Sequence, residues 1–150
     1  MPTAQMSAIE QQVIIHAPRS RVWKALTTPS EFSTWFRANV SATEFREGDR
    51  IDLVSTYPGH EGTAFFIQID KIEPEHCFVW RWGPVKATAE DKLTTVTIEL
   101  EEIPQGTRVK VTESGFDQFS LEQRAKAFEA NTQGWKLQTQ NLRNYAEQNR

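Results

Sequence analysis

From about Val40 to Glu113 the chain alternates apolar and polar residues with a period of two, in segment after segment. Ile51 and Leu53 share one parity, as do Phe65, Ile67 and Ile69, then Phe78, Trp80 and Trp82, then Val96, Ile98 and Leu100, then Val109 and Val111. The opposite parity holds Arg50, Asp52, Gln68, Arg81, Thr97, Glu99, Arg108 and Lys110. Successive side chains of a strand point to opposite faces, so the pattern predicts an antiparallel meander with one wet face and one apolar face. Turn signals divide it at Glu47-Gly48-Asp49, Tyr57-Pro58-Gly59, Glu73-Pro74-Glu75, a loop from Gly83 to Asp91, and Pro104-Gln105-Gly106. The apolar face needs a cover.

The C-terminal segment supplies one. Ser120-Leu121-Glu122-Gln123 reads as a capping box, and Leu121, Ala125, Phe128, Thr132, Trp135, Thr139, Leu142 and Ala146 follow at alternating steps of four and three. A helix of about 27 residues would be ~40 Å long, enough to span a sheet. Upstream, Ile9, Val13 and Ile15 predict a first strand ending at His16, and Met1 to Ala8 reads as a loose tail. Pro18 then opens a helix carrying Val22, Trp23 and Leu26, and Thr28-Pro29-Ser30-Glu31 reads as a capping box for a second, carrying Phe32, Trp35 and Phe36. The order strand, two helices, six strands, long helix is α+β, a curved sheet wrapped around a C-terminal helix in one domain over residues 9–147.

Composition narrows the function. One cysteine, Cys77, cannot form an internal disulfide, and no charged segment followed by an apolar run opens the chain, so the expected compartment is the cytoplasm. Net charge is −3 with Lys and Arg scattered, and no apolar stretch approaches bilayer length, which leaves neither nucleic acid nor membrane as an expected partner. His16, His60 and His76 have no metal-binding spacing, and there is no phosphate loop, dinucleotide fingerprint or nucleophile elbow. No metal, cofactor or catalytic constellation is expected.

What stands out is a surplus of rings: five Trp and nine Phe in 150 residues. Trp80 and Trp82 share the inward parity with Phe78, Phe128 and Trp135 face them from the helix, and Trp35 and Phe36 end the second short helix near the rim. On one reading these rings are packed core. On the other, rings opposite small or hydroxylated helix positions such as Thr132 enclose a pocket for a flat or oily molecule. The candidate ligand-binding residues are then Trp35, Phe36, Ile51, Leu53, Phe65, Ile67, Trp80, Trp82, Glu113, Phe128, Thr132 and Trp135. Glu113 is the polar member. It continues the inward parity of Val109 and Val111, where a carboxylate must reach solvent at the strand end, find internal donors such as Thr132, Thr139 or a Trp indole, or serve a ligand as a recognition or acid–base group.

Several motifs carry a resemblance. Ala17-Pro18-Arg19-Ser20-Arg21-Val22-Trp23-Lys24-Ala25-Leu26-Thr27, Phe32-Ser33-Thr34-Trp35-Phe36, Glu47-Gly48-Asp49-Arg50-Ile51-Asp52-Leu53, Phe78-Val79-Trp80-Arg81-Trp82, the run from Gly106 to Phe116 and the late Gly134-Trp135 occur in that order between about Ile9 and Glu147. The chain resembles domains related to the activator of heat-shock protein 90 ATPase, within the SRPBCC or START-like superfamily. That resemblance implies a helix-grip fold, a seven-stranded antiparallel sheet gripping the C-terminal helix, usually with an internal cavity. It implies three roles: carriage, sensing or sequestration of a small hydrophobic or aromatic molecule; cyclase, dehydratase or hydrolase chemistry in the same cavity, with Glu113 or His60 moving a proton; or regulation of a chaperone ATPase. The binding role leads, because the rings face one another and no catalytic constellation accompanies them.

Overall fold

The computed structural model describes residues 7–84 and 93–150. Strand β1 (Ala8–Ile15) is followed by helices α1 (Arg19–Thr27) and α2 (Pro29–Phe36). Strands β2 (Ala38–Val40), β3 (Arg50–Ser55), β4 (Ala64–Glu73), β5 (Cys77–Pro84), β6 (Thr94–Ile103) and β7 (Gly106–Ser114) come next. A 3₁₀ turn at Phe116–Gln118 leads into the long helix α3 (Leu121–Gln148). The strands form one seven-stranded antiparallel sheet in the order β1-β7-β6-β5-β4-β3-β2. The two short helices carry the chain from one edge to the other, and the meander walks back until β7 lies beside β1. This is the helix-grip, START-like fold.

The inward parity matches the core at most positions, with Phe65 and Trp82 only partly buried. Ile51, Leu53, Ile67, Ile69, Phe78, Trp80, Val96, Ile98, Leu100, Val109 and Val111 are all buried in one core against α1, α2 and α3. Phe66 is also buried but has the outward parity, pairing with Asp52, where the Arg50 guanidinium covers its ring at 3.8 Å. A register shift between Ile69 and Lys71 interrupts β4 opposite β5, and Arg81 holds Asp70 at 2.8 and 3.0 Å on the outer face. Such a bulge increases twist and helps a sheet curve around a helix. In the β6–β7 turn Gly106 has φ 146°, and a Cβ there would meet the Ile15 carbonyl oxygen at 2.3 Å, so only glycine fits this approach to β1.

Several expectations change. Strand β1 begins at Ala8, within the segment read as tail; β5 runs on through Gly83 and Pro84, and the rest of the loop placed at Gly83 to Asp91 lies outside the described residues. Thr28 is the N-cap of α2 with Pro29 behind it, but its side chain makes no capping bond: Glu31 N donates to the Thr28 carbonyl at 3.0 Å instead, and the Glu31 carboxylate is taken up elsewhere. Glu31 Oε1 accepts from Arg21 Nη2 at 2.6 Å and from the Tyr145 hydroxyl at 2.9 Å, joining all three helices. On α3, Ser120 does cap Gln123 N at 3.3 Å, yet Leu121 and Ala125 are exposed and Arg124 is buried in their place. The cause is helical drift: a four-three pattern averages 3.5 residues per turn, and a straight helix departs from it by ~20° per heptad. Counting back from Leu142, Arg124 lies about five full turns away on the same face.

Candidate functional site

The rings divide into two groups. Around Phe32 they are solidly packed: Trp35 at 5.0 Å, Phe36 stacked at 4.8 Å, Phe45 at 5.7 Å and Trp80 at 6.1 Å between centroids. Trp35 donates its indole N–H to the Ala25 carbonyl at 2.8 Å, which locks α2 onto α1 and leaves that ring in the core. The second group surrounds space. An open cavity of about 530 Å³ lies between the ends of β4 and β5, the β3–β4 connection, the 3₁₀ turn and α3. Phe36, Phe65, Trp82, Phe116, Phe119 and Leu137 give it apolar walls. Polar groups are sparse and sit mainly at Tyr57, His60 and Thr63 on the β3–β4 connection, and at Thr94, Asn131 and Gln138. A shallower depression of about 670 Å³ beside β1 is lined mostly by polar or charged side chains, among them Gln12, His16, Arg108 and Arg143, and lacks such walls.

Backbone features set the rim. Arg37, with φ 63°, ends α2 in the left-handed conformation; its carbonyl accepts from Thr56 N at 2.9 Å, and its guanidinium lies 5.5 Å from the Tyr57 ring centroid. The connection closes on itself through Ser55 N to the Thr63 carbonyl at 2.8 Å and Gly62 N to the Ser55 carbonyl at 2.9 Å. On the opposite wall Gln138 Nε2 donates to the Phe36 carbonyl at 2.9 Å, tying α3 to the end of α2. Gly134 leaves a gap in α3: a Cβ added there meets nothing within 4 Å.

Beneath this floor Glu113 is fully buried. Its Oε2 accepts from Thr94 Oγ1 at 2.5 Å, Asn131 Nδ2 at 2.9 Å and Trp82 Nε1 at 3.0 Å, and its Oε1 from Trp135 Nε1 at 2.8 Å. All four donors are uncharged. Of the three fates open to Glu113, the internal one is realised, with two indoles as donors; Thr132 and Thr139 instead return their hydroxyls to the Phe128 and Trp135 carbonyls. Sequence reasoning missed Thr94 and Asn131. Thr94 has the parity of Val96 at the start of β6, and Asn131 lies on the Leu142 face of α3 once the true helical period is used. Trp82 and Trp135 are held in a near-parallel stack, centroids 5.6 Å apart and planes 26° apart.

The other candidates fall into place around this. Phe36, Phe65 and Trp82 border the cavity, and Trp135 borders a smaller adjoining open space of about 140 Å³ that shares Phe36, Trp82, Asn131, Gly134 and Gln138 with it. Trp35, Ile51, Leu53, Ile67 and Trp80 are buried in the core and do not border either space. Phe128 packs on Phe116, centroids 5.5 Å apart, and Thr132 is half-buried; neither borders the cavity. Phe116, Phe119, Leu137 and the β3–β4 connection were not anticipated, since loop residues carry no parity signal and Leu137 lies off the helical stripe. His60 is exposed at the mouth beside Tyr57.

No helix among the described residues is long and apolar enough to cross a membrane. The architecture is shared with solved structures of low sequence identity. A protein from Mesorhizobium loti superimposes with a TM-score of 0.78 at 22% identity, covering 94% of this chain and 97% of its own. One from Nitrosomonas europaea gives 0.77 at 19%, covering 97% of each. The Aha1 dimer from Colwellia psychrerythraea gives 0.74 at 18%, covering 93% of this chain and 96% of its own. Among curated proteins none matches the sequence. The chain belongs to the family of Activator of Hsp90 ATPase homolog 1-like proteins, whose model matches residues 16–147.

Proposed function

We propose that this protein binds a small, largely apolar molecule with at least one aromatic ring in the cavity beside Trp82, as a cytoplasmic carrier, sensor or sequestering protein. The observation that carries the reading is the apolar-walled space itself: about 530 Å³, open at the mouth and bordered by Phe36, Phe65, Trp82, Phe116 and Phe119. Pockets of roughly 300–1,000 Å³ with apolar walls and few polar points are the usual form of small-molecule sites. Glu113 acts as a structural anchor in this reading. Its four donors fix the Trp82 and Trp135 rings in one orientation, so the floor is preorganised and little ordering cost accompanies binding.

The family description names the Hsp90 ATPase. The exposed apolar residues Ile14, Val54, Leu121 and Leu137 are spread over β1, β3 and α3, so they add no support for a chaperone-binding face, and the pocket carries the proposal. A titration with the uncharged fluorophore N-phenyl-1-naphthylamine tests it. Saturable binding to the wild type that is lost in Gly134→Leu, where the new side chain occupies the gap in α3, is expected. Equal binding by the two proteins, or none by the wild type, contradicts it.

A further inference from the structure

Resting on that reading of the pocket, we infer that the ligand carries an N–H or O–H donor on its aromatic part, and that Asn131 selects it through a side-chain carbonyl oxygen presented to the cavity. Asn131 is half-buried on α3, three residues before Gly134, and both residues border the cavity and the open space adjoining it. Residues three apart on a helix are neighbours on one face. The gap at Gly134, where an added Cβ would meet nothing within 4 Å, lets the edge of a flat molecule come close to α3 beside the Asn131 amide.

The neighbours of that amide set its orientation. Asn131 Nδ2 donates to Glu113 Oε2 at 2.9 Å. The same oxygen meets Thr94 Oγ1 at 2.5 Å, a shorter contact, and a hydroxyl both donates and accepts. A proton on Glu113 would be given to Thr94, so Asn131 turns its nitrogen to the carboxyl in either charge state. Asn131 Oδ1 then accepts from no group among the described residues. It is still reachable: the side-chain atoms there that are both buried and unpartnered belong to Arg19, Arg21, Trp80 and Arg124. Other polar groups beside it are already engaged. The Trp82 indole and Thr94 meet Glu113, while Gln138 donates to the Phe36 carbonyl at 2.9 Å and accepts from Asn141 Nδ2 at 3.2 Å. Ala127, Ala130, Gly134 and Leu137 complete the α3 wall without a polar side chain, and Tyr57, His60 and Thr63 belong to the β3–β4 connection. The α3 wall thus shows the ligand one unmet carbonyl oxygen amid apolar surface. A donor satisfies it, whereas a ligand without one displaces its water and leaves the acceptor bare.

Competition against bound N-phenyl-1-naphthylamine tests this with indole and benzofuran, which have nearly the same shape and differ in an N–H replaced by an ether oxygen. Benzofuran is the more apolar of the two, so a cavity that reads apolar area alone prefers it. Indole is expected to bind tighter by about fivefold or more, the low end of the cost of leaving an acceptor unmet. The preference should disappear in Asn131→Ala. A nuclear Overhauser contact from the indole N–H proton to the Asn131 side chain, measured on the wild type, supports the assignment even where that variant fails to fold. Equal binding of the two ligands, tighter binding of benzofuran, a preference that persists in Asn131→Ala, or an indole N–H that contacts Tyr57, His60 or Thr63 in place of Asn131 overturns the inference. Each of these leaves the apolar pocket standing provided the fluorophore binds as expected. Failure of the fluorophore itself to bind the wild type removes the pocket, and selection by Asn131 with it.

Discussion

Trp82 on β5 and Trp135 on α3 stack with centroids 5.6 Å apart and donate their indole N–H groups to opposite oxygens of Glu113. One buried carboxylate thus couples the sheet to the helix that it grips. The strand that carries it, β7, lies one in from the edge of the sheet, between β1 and β6.

The coupling separates two tryptophans that burial alone would rank the other way. Trp80 is completely buried and Trp135 is 3% exposed, yet the Trp80 indole N–H has no hydrogen-bond partner among the described residues. Trp80→Phe removes an orphaned donor, whereas Trp135→Phe strips Glu113 Oε1 of its donor. An unmet buried acceptor costs ~1–3 kcal/mol. Urea denaturation should therefore find Trp135→Phe the less stable of the two by about 1 kcal/mol, with similar m-values. The reverse order would mean that ring packing outweighs the carboxylate network.

Gly134 offers the opposite case, a residue whose replacement should stabilise. It sits inside α3 without a positive φ, and a Cβ there meets nothing within 4 Å. Alanine is favoured over glycine in a helix interior by roughly 1 kcal/mol. Gly134→Ala is expected to raise the melting temperature by several degrees and to weaken ligand binding modestly through its methyl group. A destabilised Gly134→Ala would show that the gap in α3 is a packing requirement.

A third expectation concerns acid. His16 N donates to Glu147 Oε2 at 2.9 Å, joining the end of β1 to the last turns of α3, and Arg143 Nε lies 3.5 Å from the same oxygen. The His16 backbone N–H, the largest effect, holds the Glu147 carboxyl below its ordinary value of 4.5; burial, next in size, opposes it, and the Arg143 charge adds to the lowering. A lowered folded-state value means stability that is present above the unfolded value and lost as pH falls through the folded one. The site is largely solvated, so the contribution is screened and amounts to ~0.2–1 kcal/mol. The stability gap between wild type and Glu147→Gln should be constant from pH 7 to about 5 and close below the ordinary value of 4.5. A gap that widens on acidification would contradict this.

Much of the fold was legible because its signals are local and periodic. Inward parity placed the apolar residues of β3 to β7 on one face, and Ser120 marked the start of α3 within one residue. Two local signals failed for physical reasons. The heptad-like pattern on α3 hid the drift that buries Arg124, and the Thr28 box lost Glu31 to Arg21 and Tyr145, partners distant in sequence. In the site, parity identified Glu113 as anomalous, but its donors come from β5, β6 and α3, and only the assembled sheet brings Trp82, Thr94, Asn131 and Trp135 to one carboxylate. The cavity was the least legible part. Whether touching rings are enclosed, as Phe32 and Phe36 are, or also border open space, as Phe65 and Trp82 do, depends on the β3–β4 connection and the 3₁₀ turn, where sequence has no period.

The five indole N–H resonances provide the most direct test of the pocket beside Trp82. In a ¹⁵N-labelled sample titrated with N-phenyl-1-naphthylamine, the Trp82 and Trp135 indole signals should shift together and saturate. Trp35, bonded to the Ala25 carbonyl in the packed half of the core, and Trp23, which does not border the cavity, should stay in place. Stationary Trp82 and Trp135 signals in the presence of bound fluorophore, or uniform shifts across all five, would contradict the assignment of the site.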